Sequence, residues 1–145
     1  MRTLSLIALM ICLLASLAAR AADDDEDAPK ANFLKFKLAA VNGDRYPYGW
    51  VLVDGYQFGM GAQKLRPQEI YTVWMVKPNG EKVGVGEAPY SFETRESGEG
   101  KYVIKMPDNQ IFSGEFTKVV IYHHPDRNPL TMEGMLPILE GNMNQ

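Results

Sequence analysis

The chain has 145 residues, of which 46% are apolar and 23% are charged. This apolar fraction excludes a wholly disordered or collagen-like chain, and the length suits one domain. The formal net charge of −3 gives no electrostatic reason to expect a nucleic-acid partner.

Residues 1–21 have the pattern of a secretory signal peptide. Arg2 supplies a basic charge, and residues 4–19 form a nearly unbroken apolar run. Ala19-Arg20-Ala21 has the small-x-small pattern of a cleavage site, so we expect cleavage after Ala21. The run is shorter than the ~20 residues that cross a bilayer, and an uncleaved anchor is the alternative. We therefore expect an exported protein, periplasmic or secreted, whose mature chain has no membrane span.

The mature chain is predicted to begin with an acidic tail. Residues 23–27 are all Asp or Glu, whereas the charges from residue 30 onward balance. Because blocks of like charge are usually solvated, we interpret residues 22–29 as a disordered acidic tail. A cation-binding tail is the alternative, although carboxylates without a fixed loop lack the geometry of a selective calcium site. The only cysteine, Cys12, leaves with the leader, so the mature chain has no disulfide available.

Strand patterns follow one another along the rest of the chain, without a helical period. The candidate segments in chain order are residues 33–41, 48–53, 56–62, 70–76, 81–85, 92–95, 102–106, 116–123 and 135–139. Asp54-Gly55 predicts a tight hairpin. About eight strands at this spacing predict an all-β fold, a single antiparallel β-sandwich of immunoglobulin-like or related Greek-key layout. We assign one domain to residues 30–141, followed by a polar end at 142–145.

Composition also predicts where some strands lie in the sheet. Residues 70–76 and 116–123 are apolar on both faces, which is typical of buried central strands. Gly59 and Gly61 weaken the third segment and indicate an edge or a bulge. Pro137 cannot donate to a strand ladder, so it predicts an edge position for the last segment.

One long segment resembles a known family. Residues 65–76 contain Pro67, Tyr71 and Trp74 in a Pro-x-x-x-Tyr-x-x-Trp strand, and Asn79-Gly80 turns the chain into a glycine-ended strand. Together with the layout of residues 119–139, this resembles the extracytoplasmic C-terminal β domain of anti-sigma-K-type factors over about residues 34–141. The resemblance implies a β fold outside the inner membrane. It does not imply sigma-factor regulation, because the helical sigma-binding region and membrane helix of that family have no counterpart here.

An aromatic cluster is the first candidate binding site. Tyr46, Tyr48, Trp50, Tyr56 and Phe58 lie within 13 positions. Aromatic side chains on strands can stack on sugar rings or anchor a protein partner, but they also fill cores. Tyr48, Trp50 and Leu52 alternate onto one face of their strand, so this hypothesis requires that face to point to solvent. The corner at residues 126–133 is a second, weaker part of the same predicted surface.

A histidine and methionine group is the second candidate. His123 and His124 are the only histidines, and Met132 and Met135 follow them. Imidazole and thioether ligands favour copper, which predicts a periplasmic copper-binding protein as the alternative function. Against it, adjacent strand residues point to opposite faces, and methionines often fill gaps in β cores.

The sequence carries no recognisable catalytic motif. Ser91, Ser97 and Ser113 do not lie in a Gly-x-Ser-x-Gly elbow, and no glycine-rich loop has the spacing that holds phosphates. We therefore predict a binding or interaction module that is not an enzyme and needs no cofactor, copper apart. Its expected partners are an envelope protein or a glycan, and an edge strand could also pair with a second copy.

Overall fold

The computed structural model describes residues 33–106 and 110–144, in which nine strands form one antiparallel sheet. The strands are β1 Phe33–Ala40, β2 Tyr48–Asp54, β3 Gln57–Gln63, β4 Ile70–Val76, β5 Lys82–Gly84, β6 Ser91–Glu93, β7 Gly100–Lys105, β8 Lys118–His124 and β9 Leu136–Asn142. The helical structure in these ranges is a single 3-10 turn at Gln110–Phe112, so the predicted all-β class is confirmed. None of the described helical structure has the length and apolarity of a membrane span. The predicted signal peptide and acidic tail lie outside the described residues.

The strand order is β5-β4-β8-β9-β1-β2-β3-β7, and β6 pairs with β4 along the same edge as β5. The sheet curls into a half-barrel. The predicted β-sandwich would have had two separate sheets. The observed sheet is continuous because β1 and β9 join its two halves. Their paired register is short and involves Ala39 and Ala40 of β1.

A single apolar core fills the inner side of the curl. Alternation along β2 and β3 turns Val51 and Met60 inward, and they belong to the same buried cluster as Val73 and Ile121 from the other half. Strands β4 and β8 pair over seven residues and are buried on nearly every position, as their composition predicted.

A buried tyrosine connects the two ends of the sheet. The Tyr102 hydroxyl on β7 donates to the carbonyl oxygen of Val85, which follows β5, at 2.6 Å. Burial raises the pKa of Tyr102 to about 12, because the ionised phenolate would lose its hydration. Among the described strands no ladder joins these two edges, so this bond links them where backbone pairing does not.

The two predicted edge strands are internal instead. Strand β3 lies between β2 and β7, and its Gly61 accommodates the ring of Trp50, which stands above it. Strand β9 lies between β8 and β1, and Pro137 stands beside an irregularity of register between Ile121 and Tyr122. Gly61 and Pro137 are therefore explained by local packing and a local irregularity of the ladder, not by an edge position.

Candidate functional site

The outer face of β2 presents three large apolar side chains to solvent. Tyr48, Trp50 and Leu52 are 42%, 43% and 39% exposed, while Val51 and Val53, which alternate with them, are fully buried. This is the alternation of a strand that has one face on the core and the other in water. The face that carries Tyr48, Trp50 and Leu52 therefore points to solvent, as the aromatic hypothesis required.

Glycines on β3 form a shelf beneath this face. Gly61 lies opposite Trp50 and Gly59 opposite Leu52 in the β2–β3 register. A Cβ atom at Gly61 would stand 2.5 Å from Cζ2 of Trp50, whereas a Cβ at Gly59 would meet nothing closer than 3.6 Å. The indole of Trp50 thus lies against bare backbone, which fixes the height of the ring above the sheet.

Lysines flank the aromatic side chains on the neighbouring strands. Lys37 and Lys35 of β1 pair with Trp50 and Leu52 of β2, and beyond β3 the exposed residues of β7 complete the face. We call this surface the lysine-rimmed aromatic face, and it consists of Tyr48, Trp50, Leu52, Val103, Lys35, Lys37, Lys101 and Lys105.

Two grooves run along Trp50. The groove on the β1 side has a volume of about 890 Å³ and that on the β7 side about 300 Å³. Two carboxylates belong to the margin of the face, Asp54 at the end of β2 and Glu99 beside the smaller groove. Four lysines against two acids leave the face with a positive balance. Its chemistry is that of a flat apolar platform with cations at its sides.

The other predicted aromatic residues lie in three different places. Tyr46 extends the face at one end, where its ring centroid is 5.9 Å from that of Tyr48 and Arg45 stands over it at 5.3 Å. Tyr56 is exposed at the tip of the β2–β3 hairpin, at the opposite end of the strand. Phe58 is wholly buried in the core and cannot contact a partner, because alternation on β3 turns it inward.

The four predicted copper ligands are not gathered around one point. His123 and His124 point to opposite faces of the sheet, since His123 packs on the ring of Tyr71 inside and His124 bonds Thr72 outside. Met132 is half exposed, and Met135 packs beside the small outer cluster formed by Val76, Val120 and Tyr122. In the described ranges, no three His, Cys, Asp or Glu side chains are placed to share an ion.

His124 belongs to a buried polar chain instead. The indole Nε1–H of Trp74 donates to Oγ1 of Thr72 at 2.8 Å, and that oxygen lies 2.9 Å from Nε2 of His124. Within the described structure, Nδ1 of His124 is buried without a hydrogen-bond partner. Burial lowers the pKa of His124, although the nearby Asp126 carboxylate acts in the opposite direction. The ring is therefore neutral at pH 7, with Nε2 placed to accept from the threonine hydroxyl.

The corner at residues 126–133 is held by short side-chain turns. The backbone N–H of Asn128 donates to Asp126, and that of Leu130 donates to the side chain of Asn128. Leu130 is 79% exposed, the largest value among the exposed apolar side chains. This corner follows β8, whereas the aromatic residues lie on β2. Strands β8 and β2 are not neighbours in the sheet.

Sequence reasoning missed the lysine rim. Alternation in β1 already set Lys35 and Lys37 apart from the apolar positions, but it could not show which strand would lie beside them. Lys101 and Val103 come from β7, about 50 positions further along the chain than Trp50. A long-range strand register brings them together, and no local pattern encodes it.

Comparisons with protein-family models, with curated proteins and with solved structures find no match to this chain. The geometry of the sheet is therefore the basis on which a function can be argued.

Proposed function

We propose that this protein is an exported, non-catalytic binding module whose lysine-rimmed aromatic face binds an anionic polysaccharide of the cell envelope. The observation that carries the proposal is the exposed row of Tyr48, Trp50 and Leu52 with lysines on both sides. Export is supported by the leader pattern of residues 1–21.

The aromatic row supports a sugar ligand. An indole or phenol ring that lies flat on a sheet offers an apolar face that can stack on the C–H face of a pyranose ring. The shelf at Gly61 sets the height of the Trp50 ring, so little conformational entropy is lost when a ligand covers it. Grooves on both sides of Trp50 give an extended chain room to continue past the central contact.

The lysines support an acidic ligand. Lys35, Lys37, Lys101 and Lys105 are all exposed, and none of them forms an ion pair with another described residue. Their ammonium groups can follow the carboxylates or phosphates of a repeating polymer without demanding one fixed geometry. Binding should weaken as salt rises, because exposed charges are screened over about 10 Å at 0.1 M ionic strength.

Other predictions have weaker support. The copper alternative has no supporting contact, since His123 and His124 lie on opposite sides of the sheet. The relation to anti-sigma-K-type domains remains a proposal about the fold. We also propose that the two halves of the curled sheet act as the two layers of a sandwich, since both contribute to one core.

A titration with defined polymers tests the proposal. The purified protein is titrated with polygalacturonate and with neutral dextran of matched length, and binding is followed by tryptophan fluorescence and calorimetry. We expect saturable binding of polygalacturonate only, weakened roughly tenfold in Trp50→Ala, about 1.4 kcal/mol, the scale of one good aromatic contact. Equal binding of both polymers, or an unchanged affinity in Trp50→Ala, would refute the proposal.

A pair of glycine variants supplies the matched control. Gly61→Ala places a methyl group against the indole of Trp50 and should lift the ring, so polymer affinity should fall. Gly59→Ala adds the same group two residues away on the same face, where the nearest atom is 3.6 Å distant and the ring of Trp50 is not displaced, so affinity should fall less than in Gly61→Ala. Equal effects of the two variants would show that the position of the indole does not matter.

A further inference from the structure

A cleft at one end of the half-barrel carries a second concentration of positive charge. It has a volume of about 240 Å³. Its polar lining comes from Lys64 and Arg66 after β3, Tyr71 on β4 and His123 on β8, and its other lining residues are Pro47, Leu65 and Ile138. No acidic side chain is among these lining residues.

The loop that supplies the two cations is fixed by buried polar contacts. Thr94, which is 3% exposed, donates to the carbonyl of Arg66 at 2.6 Å and accepts from the N–H of Glu69 at 3.0 Å. The N–H of Leu65 donates to Gly98 at 3.0 Å. Gly98 has a φ of +76°, and a Cβ atom there would clash with the carbonyl oxygen of Leu65, so only glycine fits without strain. The loop is thus attached to the scaffold at both of its ends.

Backbone strain concentrates around the same loop. Lys64 and Gln68 have φ values of +63° and +54°, and Arg127, whose guanidinium contacts the carbonyl of Gln68, has a φ of +58°. Non-glycine residues with positive φ are strained and tend to gather at binding sites, where the surrounding structure holds them. Three of the four such residues in the described ranges belong to this small region.

A buried histidine lines the cleft. His123 is 3% exposed, and its ring centroid lies 5.1 Å from that of Tyr71. Its Nε2 is 3.4 Å from the carboxylate of Glu69, which does not line the cleft and also lies 4.0 Å from Arg127. Glu69 therefore orients the imidazole from outside the cleft, and Arg127 partly balances the carboxylate.

From this arrangement we infer that the end cleft is a second binding site, for a small ligand that carries a phosphate or carboxylate group. Lys64 and Arg66 would hold the oxyanion by charge-assisted hydrogen bonds, and His123 would define the depth to which it enters. This site is separate from the lysine-rimmed aromatic face and does not depend on the polysaccharide proposal.

A titration by nuclear magnetic resonance tests the inference. The protein is titrated with inorganic phosphate and, separately, with acetate, at an ionic strength held constant with chloride. We expect saturable shifts of the amide signals of residues 64–66 and of the His123 ring with at least one of these anions, but not with chloride. The stronger of the two responses identifies the oxyanion that the cleft prefers. Shifts that never saturate and spread over all lysines would overturn the inference.

Charge variants separate the cleft from the general positive surface. Lys64→Gln combined with Arg66→Gln should weaken binding at least tenfold, the loss expected when charged hydrogen bonds are removed. Lys77→Gln combined with Lys82→Gln removes the same charge at the far end of β4 and should leave the affinity unchanged. Both pairs lie outside the core, and thermal melts verify that each variant is folded. Equal affinities in the two double variants would refute the assignment.

Trp50→Ala distinguishes this inference from the polysaccharide proposal. The variant should keep its affinity for phosphate or acetate while its affinity for polygalacturonate falls. If Trp50→Ala also loses the small anion, the anion binds on the aromatic face and the end cleft is not a site.

Discussion

The hydroxyl of Thr72 should contribute strongly to stability, and Thr72→Val tests this. Thr72 is wholly buried and joins Trp74 to His124 through contacts of 2.8 and 2.9 Å. Valine keeps the shape of the side chain but removes both contacts. Nε2 of His124, a residue that is 1% exposed, would then lose its hydrogen-bond partner.

The size of the effect follows from the burial of the two partners. An unpaired buried group costs about 1–3 kcal/mol, which applies to Nε2 of His124. Trp74 is only partly buried, so water can replace its lost bond and the net loss there is about 1 kcal/mol. We expect Thr72→Val to lower the free energy of unfolding by about 2–4 kcal/mol, a large part of the 5–15 kcal/mol typical of a domain.

Urea unfolding at pH 7.5, followed by circular dichroism, measures this change. The control is Thr117→Val, because Thr117 is half-buried and donates a single bond of 3.2 Å to the carbonyl of Val76. The control should lose about 1 kcal/mol or less. If both variants lose the same small amount, the polar chain around Thr72 does not stabilise the fold as we argue.

Three further predictions concern pH and backbone space. Burial lowers the pKa of His124, so its stabilising contribution is complete above pH 6.5 and is lost as the pH falls below that value. The free energy of unfolding should therefore be lower at pH 5.5 than at pH 7.5, and His124→Gln should not show this part of the loss. Gly98→Ala should destabilise the protein by about 1–3 kcal/mol more than Gly43→Ala. Both residues have positive φ, but only at Gly98 would the added methyl group meet a backbone oxygen. Equal melting temperatures of the two variants would contradict this. Tyr102 should ionise near pH 12 in an ultraviolet titration. Burial also raises the pKa of Tyr71 and Tyr122, so Tyr102→Phe should remove one phenol from the late-ionising group, and an unchanged late amplitude would argue against the assignment.

The elements that local composition determines were predictable from the sequence. The predicted bounds of β4 agree with the structure, because a β-branched and aromatic run fits only a strand buried on both faces. The hairpin at Asp54-Gly55 is also confirmed, since Gly55 takes the positive φ of +57° that a tight turn requires. The outward direction of Tyr48 and Trp50 followed from the period of two along their strand.

Features that depend on distant strands were not predictable. Strands β4 and β8 pair although some 50 positions separate Thr72 from Tyr122, and no local signal encodes that register. The edge or bulge predicted from Gly55, Gly59 and Gly61 was wrong, because β3 pairs regularly on both sides and Gly61 makes room for the ring of Trp50 on the next strand. His124 is buried on the outer face for a similar reason. Its ring bonds Thr72 of β4, and Asp126 and Asn128 of the chain after β8 lie near it.

The short junction between β1 and β9 has a mechanical consequence. The strands pair in register only at Ala39 and Ala40, and one further bond joins Val41 to β9. Because the strands are antiparallel, the start of β1 and the end of β9 leave this junction in the same direction. Tension applied between Phe33 and Asn142 would act in an unzipping geometry, in which these few hydrogen bonds break one after another rather than all at once. The domain should therefore yield to a modest pulling force along this axis, even though its interior is well packed.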